Sequence, residues 1–217
     1  MIDWIFFDIG GVLADESAYQ DYRKAVCREV AKSFIGDISD EAYARAYTEA
    51  GFRQGSITEH VLSVLLEQAG RADAVQEALT ILATKPKASY GDLEVVRPEA
   101  AAVVQALAAK YKIGIIANQP PIILEKLEAA GVLQYLSDST ISADGPGKPD
   151  PAYYLAVLAK TGANPKRSIM IDDNLTRGIA PAKKLGMTTI WFGGILPAEG
   201  VDYVVQGLDE LPGLLLG

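Results

Sequence analysis

The chain has 217 residues, 49% hydrophobic and 22% charged, which suits one large domain or a core with a smaller insertion. Its net charge of −8 argues against non-specific nucleic-acid binding, which needs lysine and arginine to neutralise phosphates. No apolar run approaches the roughly 18–20 residues of a membrane span, and a single cysteine excludes an internal disulfide. The chain opens on a strand and not on a basic, cleavable leader, so we expect a cytoplasmic protein that contacts no membrane.

The first predicted strand, residues 2–7, is an almost continuous apolar run, which is typical of a strand buried on both faces. It ends at Asp8, and Gly10 and Gly11 follow directly. In an open parallel sheet, ligands bind just beyond the carboxyl ends of the strands. Glycines let the backbone approach a ligand and present N–H groups to an anion. The sequence therefore predicts a reactive carboxylate beside an anion-binding loop; the alternative is a solvated loop acid or helix cap.

Residues 14–87 have helical periodicity and no convincing strand. Asp37 or Ser39, and then Ser56 or Thr58, are candidate N-caps because their side chains accept hydrogen bonds from the first turn of a helix. We predict four helices. The first covers residues 19–34, the second runs from Asp37 or Ser39 to residue 47, the third runs from Ser56 or Thr58 to residue 68, and the fourth covers residues 73–84. This helical block interrupts the chain after its first strand, so we expect it to form an inserted α-helical cap.

From residue 95 onward, helices and strands alternate. We predict helices over residues 98–110, 122–130, 151–160 and 178–185, and strands over residues 113–117, 140–142, 168–171, 188–192 and 203–205. This alternation is typical of an α/β fold with a doubly wound parallel sheet. We therefore predict a Rossmann-like core formed by residues 1–13 and 88–217, with residues 14–87 as the helical cap.

Polar residues follow three of the later predicted strands: Asn118, Lys148 in a loop with two prolines, and the pair Asp172 and Asp173. We expect them to meet Asp8 at one edge of the sheet. A fixed lysine can neutralise a nucleophilic carboxylate and a phosphoryl group together. Adjacent acids repel unless a cation intervenes, and Mg²⁺ binds one or two carboxylates and bridges to a phosphate. The alternatives are a surface lysine and an acidic turn that caps a helix.

Four segments in register carry a family resemblance: residues 7–13, 115–118, 147–151 and 171–187. Together they resemble the motifs of the haloacid dehalogenase superfamily of phosphatases and related hydrolases. The resemblance implies that Asp8 is the catalytic nucleophile and that Lys148 is the catalytic lysine of the third motif.

The same resemblance implies the ligands. Magnesium would be held by Asp8, the carbonyl of Gly10 and Asp173, with Asp172 beside it; we prefer Asp173 as the direct ligand. Phosphate or substrate binding is assigned to Gly10, Gly11, Asn118, Gln119 and Lys148.

Three positions depart from the family pattern. A second acid, which acts as general acid and base, is expected two residues after the nucleophile, where Gly10 stands. The hydroxyl of the second motif falls at Ala117, and a late acid falls at Arg177 or Gly178. We therefore expect attenuated activity or a substrate with a good leaving group, since a positioned acid/base contributes roughly 10²–10⁴ in rate.

Two groups could compensate for these losses. His60, the only histidine, could supply a proton from the cap, although we interpret it as a surface residue of a helix. Asn118 and Gln119 could partly replace the missing hydroxyl; for Asn118 a role in a turn is an equal alternative.

The predicted function is hydrolysis of a small phosphorylated metabolite, with Mg²⁺ and an aspartyl-phosphate on Asp8. One alternative is metal-independent, dehalogenase-type hydrolysis at carbon. Another is a non-catalytic binding or regulatory protein that keeps the fold. The sequence names neither the substrate nor the oligomeric state.

Overall fold

The structure is a computed structural model that describes residues 1–86, 93–138, 147–195 and 198–217. It divides into two compact units. The core unit comprises Met1–Glu16 and Glu94–Gly217, and the helical unit comprises Ser17–Leu93. In the described part of either unit, no helix combines the length and apolar character that crossing a membrane requires.

The elements follow one another in this order: β1 (Trp4–Phe7), β2 (Ala14–Asp15), α1 (Ser17–Ile35), α2 (Asp40–Ala50), α3 (Ile57–Gln68), α4 (Val75–Thr84), β3 (Val95–Val96), α5 (Ala100–Ala108), β4 (Lys112–Ile115), α6 (Ile122–Ala129), α7 (Pro151–Thr161), β5 (Ser168–Asp172), a π-helical turn (Leu175–Ile179), α8 (Ala180–Lys184), β6 (Thr188–Phe192), β7 (Tyr203–Val205) and α9 (Glu210–Leu216). Short 3₁₀ turns cover Ala72–Ala74, Leu133–Tyr135 and Pro165–Arg167.

Within its described residues, the core unit is built on a parallel sheet of five strands in the order β4-β1-β5-β6-β7. Every residue of β1 is buried. Ile5 and Phe7 pack into the apolar cluster on one face of the sheet, and Trp4 and Phe6 pack into the cluster on the other. Burial on both faces explains the unbroken apolar run. The predicted α/β fold with a Rossmann-like parallel sheet is confirmed.

The order of the strands reverses at β1, which positions a site. The chain next enters the sheet at β4, on one side of β1, and then crosses to β5 on the other side. Phe7, the last residue of β1, lies opposite Ile115 and Ile171 of these neighbours. All three strands therefore end together, and a crevice opens at such a reversal, beyond the carboxyl ends of the strands.

A second, two-stranded sheet joins the point where the chain leaves the core unit to the point where it returns. In this antiparallel pair Ala14 of β2 lies opposite Val96 of β3. The Arg97 N–H also donates to the Leu13 carbonyl at 2.9 Å. The expectation that residues 14–87 contain no strand is thus wrong at β2, because a two-residue strand is too short to leave a periodic signal.

Other differences concern element ends. The strand predicted over residues 113–117 ends at Ile115, although the Ile116 N–H still donates to the Phe7 carbonyl of β1 at 3.0 Å and Ile116 and Ala117 are buried. The helix predicted over residues 178–185 is a π-helical turn followed by the short α8. The strand predicted over residues 140–142 lies outside the described residues.

The helical unit has its own apolar core, and the predicted caps account for two of its helices. The Ser39 hydroxyl accepts from the Ala42 N–H at 3.1 Å at the start of α2, and the Ser56 hydroxyl accepts from the Glu59 N–H at 3.4 Å at the start of α3. His60 lies on α3 and is half-buried, with Nε2 2.5 Å from the Gln54 carbonyl oxygen. This contact gives the His60 ring a partner within the helical unit, so its position is explained without a catalytic role. The role of this unit as a cap stays a prediction.

Candidate active site

Asp8 is fixed at the tip of β1 by both its backbone and its side chain. Its N–H donates to the Ile171 carbonyl at 2.9 Å, which extends the pairing with β5 by one residue. One carboxylate oxygen, Oδ1, accepts from the Ile9 N–H at 2.8 Å. The side chain is buried. A rigid strand tip therefore presents this carboxylate in one orientation, as nucleophilic catalysis requires.

Lys148 joins the acids of two adjacent strands. Its Nζ lies 2.8 Å from Asp8 Oδ2 and 2.7 Å from Asp172 Oδ2, and the lysine side chain is only 4% exposed. Burial alone would lower the pKa of Lys148, but the Asp172 and Asp8 carboxylates raise it above its ordinary value. The ammonium is therefore charged at neutral pH, and it neutralises one of the negative charges buried around it.

The backbone of Lys148 is held by two residues to which the sequence assigned other roles. Asn118 makes two hydrogen bonds to it: the side-chain amide donates to the Lys148 carbonyl, and Oδ1 accepts from the Lys148 N–H, both at 2.8 Å. The Arg177 guanidinium donates to the same carbonyl at 2.8 Å. The Asn118 side chain thus positions the lysine, and the assignment of Asn118 to phosphate binding stays a prediction.

Asp172 and Asp173 differ in their surroundings. Asp172 is fully buried, and its oxygens accept from Lys148 Nζ and, at 2.8 Å, from the Asn174 N–H. Asp173 is half-buried. One oxygen from each of Asp8, Asp172 and Asp173 lies within 4.8 Å of the other two.

The charges at this point do not balance without a cation. Burial, together with the charges of Asp172 and Asp8, raises the pKa of Asp173 well above its ordinary value. Burial raises the pKa of Asp172 as well, although the Lys148 charge opposes the effect. Three carboxylates against one ammonium leave a negative excess in a hard, oxygen-only donor set, so the residues present fit Mg²⁺.

Two glycines are needed for this close approach. Gly11 has a φ of +76°, and a Cβ placed on it would lie 2.2 Å from Asp173 Oδ2. A Cβ on Gly178 would lie 1.9 Å from Asp172 Cγ. Gly178 is one of the positions where the family pattern places an acid, and here the absence of a side chain makes room for Asp172. The sequence alone does not indicate this role.

Arg97 is a further residue that the sequence analysis missed. Its guanidinium donates to the Val12 carbonyl at 2.9 Å and to the Gly11 carbonyl at 3.2 Å, and it lies 5.3 Å from the centre of the Phe192 ring. It therefore fixes the loop after the nucleophile from a segment some 85 residues later in the chain. A single arginine before a proline carries no signal for such a contact.

Gln119 and Ala117 are the remaining predicted positions. Gln119 is buried, and its Oε1 has no hydrogen-bond partner among the described residues. Its Nε2 lies 2.4 Å from the position that a Cβ on Gly10 would occupy, so this amide lies beside the loop that follows Asp8. Ala117 is buried at the position expected to carry a hydroxyl, and its carbonyl accepts from the Tyr153 hydroxyl at 2.9 Å.

Glu94 is an acid that the sequence analysis missed. It is fully buried, and neither carboxyl oxygen has a hydrogen-bond partner in the described part of the chain. Burial, together with the charges of Glu16 and Asp8, raises its pKa from the ordinary 4.5 to about 8, while Lys126 opposes the effect. Glu94 is therefore protonated in the folded protein at neutral pH and ionised in the unfolded chain.

Folding stability should consequently fall as pH rises from about 4.5 to about 8, because the folded state retains a proton that the unfolded chain releases. The Glu94→Gln side chain is neutral in the folded and the unfolded protein, so this variant should not show the pH-dependent loss. In the wild type the free energy of unfolding should fall by at most about 1.4 kcal/mol per pH unit. We expect the variant to match the wild type at pH 5 and to be more stable by a few kcal/mol at pH 8. Urea unfolding followed by tryptophan fluorescence measures this in the core unit, which holds both tryptophans.

The matched control is Glu99→Gln, which removes a half-buried acid at the start of α5. Its stability is measured over the same pH range and shows what the loss of an acid elsewhere in the core unit does. If the Glu94→Gln and wild-type curves are parallel, Glu94 is ionised in the folded protein and the assignment is wrong.

Comparison with known families identifies this arrangement. The family model for hydrolases, described as haloacid dehalogenase-like hydrolase, matches residues 2–186, and these include Asp8, Lys148, Asp172 and Asp173. The chain belongs to the haloacid dehalogenase-like hydrolases. The resemblance inferred from the four motifs is confirmed.

Relatives within the haloacid dehalogenase-like hydrolases agree with this placement. A glyceraldehyde 3-phosphate phosphatase of Methanothermobacter thermautotrophicus is 26% identical over 215 residues, covering 96% of this chain and 94% of the relative. A HAD phosphatase from Thermococcus onnurineus has a TM-score of 0.60 at 24% identity, covering 99% of this chain and 98% of the other. A 2-haloacid dehalogenase from Pseudomonas syringae has the same TM-score at 22% identity, covering 100% and 99%. Fold likeness therefore does not separate the two chemistries.

Proposed function

We propose that the protein is a Mg²⁺-dependent phosphomonoester hydrolase that works through an aspartyl-phosphate on Asp8. The observation that carries this proposal is the buried charge cluster: Asp8 is paired with Lys148 at 2.8 Å and lies within 4.8 Å of ligand oxygens on Asp172 and Asp173. A nucleophile for phosphorus needs a neighbouring positive charge for the equatorial oxygens, and this cluster provides one cation and the ligands for another.

In the proposed mechanism, an oxygen of Asp8 attacks phosphorus in line with the leaving group. The Asp8–phosphorus bond forms as the bond to the leaving oxygen breaks, and water later attacks phosphorus to release phosphate and the free carboxylate. Lys148 stabilises the negative charge on the phosphoryl oxygens, and the N–H groups of the Gly10–Gly11 loop and of Asn118, with the Gln119 amide, hold the phosphate. Mg²⁺ bound by Asp8, the Gly10 carbonyl and Asp173, with Asp172 beside it, would supply further charge neutralisation.

Asp173 is the better candidate for the direct metal ligand of the adjacent pair. Asp172 accepts from both Lys148 and Asn174, so its oxygens are already engaged. The Asp173 side chain instead lies against Gly11, on the side of the loop that follows the nucleophile. This supports the preference drawn from the sequence.

The substrate class we propose is a small phosphorylated metabolite of the cytoplasm. A relative named as a phosphatase of glyceraldehyde 3-phosphate, aligned over nearly the whole chain, supports this class. The helical unit would act as the cap that excludes water and selects the substrate. The dehalogenase alternative is disfavoured because the acidic pair has no role in displacing a halide. The non-catalytic alternative does not explain why Asp8, Lys148 and the acidic pair lie together in one buried cluster.

The test is hydrolysis of 4-nitrophenyl phosphate, acetyl phosphate and 2-chloropropionate, each in MgCl₂ and in EDTA. We expect release of phosphate from 4-nitrophenyl phosphate and acetyl phosphate that requires Mg²⁺, and no release of chloride from 2-chloropropionate. Chloride release unaffected by EDTA would instead establish the dehalogenase reaction. Absence of turnover with all three compounds, despite Mg²⁺ binding measured by calorimetry, would favour a binding or regulatory protein.

A further inference from the structure

The space left by Gly10 is filled by a carboxylate from elsewhere in the core unit. A Cβ placed on Gly10 would lie 2.3 Å from Glu16 Oε2 and 2.4 Å from Gln119 Nε2. Glu16 is 8% exposed and Gln119 is 5% exposed, so both side chains are buried beside the loop that follows the nucleophile. A side chain at position 10 would thus extend into the place that the Glu16 carboxyl already occupies.

The backbone brings Glu16 to this place. After Asp8 the chain turns tightly, with the Ala14 N–H donating to the Ile9 carbonyl at 2.8 Å. It then runs through β2, which β3 holds by antiparallel pairing, and Glu16 follows directly. Six residues after Gly10, the chain has therefore returned alongside it.

Glu16 also lies within electrostatic reach of the charge cluster. Burial, together with the charges of Asp172, Asp8 and Glu16, raises the pKa of Asp173. Of the acids at this end of the sheet, Asp8 and Asp172 are paired with Lys148, and Asp173 is a proposed metal ligand. Glu16 and Glu94 are buried carboxyls outside these roles, and Glu16 is the one whose Oε2 lies where a Cβ on Gly10 would stand.

We propose that Glu16 is the general acid and base of this hydrolase, an inference that rests on the proposed function. As Asp8 attacks phosphorus, the bond to the leaving oxygen breaks and that oxygen takes the proton of the Glu16 carboxyl, so that an alcohol departs. The Glu16 carboxylate then takes a proton from water as the water oxygen bonds to phosphorus and the Asp8–phosphorus bond breaks. Phosphate leaves, Asp8 is again a carboxylate, and Glu16 is again protonated. A positioned group of this kind contributes roughly 10²–10⁴ in rate.

The test compares Glu16→Gln with the wild type on substrates whose leaving groups differ in basicity. The leaving groups of glycerol 3-phosphate and phenyl phosphate are basic oxyanions. The leaving group of 4-nitrophenyl phosphate, 4-nitrophenolate, is a stable one. We expect kcat/KM to fall by about 10²–10³ on the first two and by less than about tenfold on the third, since only the basic oxyanions need a proton. The aspartyl-phosphate, trapped by borohydride and identified by mass spectrometry, should also accumulate in the variant because water attacks it without a base.

Two further variants distinguish chemistry from structure. In Glu16→Ala with Gly10→Asp, the carboxyl is supplied from position 10 in the space that the truncation opens, and we expect most of the lost rate on phenyl phosphate to return. Asp15→Asn removes an exposed acid one residue away and should leave all three rates unchanged. If Glu16→Gln does not fold, Glu16→Asp, which withdraws the carboxyl by one methylene, should show the same dependence on the leaving group.

Equal losses on all three substrates without accumulation of the phospho-enzyme would overturn the proposal and make Glu16 a structural residue. Unchanged rates would overturn it as well. Both results require a wild type with Mg²⁺-dependent turnover, so they leave the proposed function standing. A wild type that hydrolyses none of the phosphates would instead remove the proposed function and, with it, this role for Glu16.

Discussion

Asp8→Asn should abolish hydrolysis of 4-nitrophenyl phosphate, with kcat/KM reduced by at least about 10⁴-fold. The amide has the shape of the carboxylate but is not a nucleophile, so no aspartyl-phosphate forms. The fold should survive, because Lys148 keeps Asp172 as a partner at 2.7 Å. The measurement is steady-state kinetics in MgCl₂, together with thermal unfolding of the same preparation.

The matched control for this substitution lies at the other end of the same strand. Asp3 is half-exposed and pairs with Arg167 at 2.5 Å, and Asp3→Asn removes the same charge away from the site. We expect full activity in that variant. Turnover by Asp8→Asn within tenfold of the wild type would exclude the covalent mechanism and favour a water molecule as the attacking group.

Lys148→Met should produce the largest combined loss of activity and stability. The substitution keeps the volume of the side chain but removes the ammonium that pairs with Asp8 and Asp172. Removing one partner of a buried ion pair typically costs about 3–5 kcal/mol. The loss should be smaller at pH 5 than at pH 8, because without the lysine charge the pKa of Asp172 rises further and protonation relieves the repulsion.

Magnesium should stabilise Lys148→Met more than it stabilises the wild type, since the ion then compensates the carboxylates alone. Urea unfolding with and without MgCl₂, at pH 5 and pH 8, measures both effects. Lys160→Met is the control: Lys160 pairs with Asp138 at 2.9 Å but is 60% exposed, so the expected change is within about 1 kcal/mol. A Lys148→Met protein as stable as the control at pH 8 would show that the acids are protonated in the wild type.

The sequence was sufficient for the parts of the site that follow a strand. Asp8 and Asp172 come directly after buried apolar runs, and the parallel sheet necessarily brings such positions to one edge. Lys148 could be predicted for the same reason, since prolines hold its loop in the turn before a helix. At these positions the place of a residue after an apolar run is enough to predict its place at the edge of the folded sheet.

The residues that the sequence analysis missed act through contacts between distant segments. Arg97 fixes the loop at Gly11, and Gly178 makes room for Asp172, yet neither has a local pattern that indicates its partner. Glu16 follows a strand of two residues, too short for periodicity to detect. The Asn118 side chain holds the backbone of Lys148, a contact that depends on the path of the Lys148 loop and has no local sequence signal.

The antiparallel pair of β2 and β3 has a consequence for how such a protein can change over time. It ties together the two points at which the chain leaves and re-enters the core unit, at Glu16 and Glu94. When the two ends of a segment are held together, as β2 and β3 hold these, lengthening the segment adds little to the entropic cost of closing it. That cost grows only with the logarithm of the segment length. The intervening 77 residues can therefore be exchanged for others of different length while the strand tips stay in place. Under the proposed function, substrate preference and chemistry would then be encoded in separately replaceable stretches of one gene.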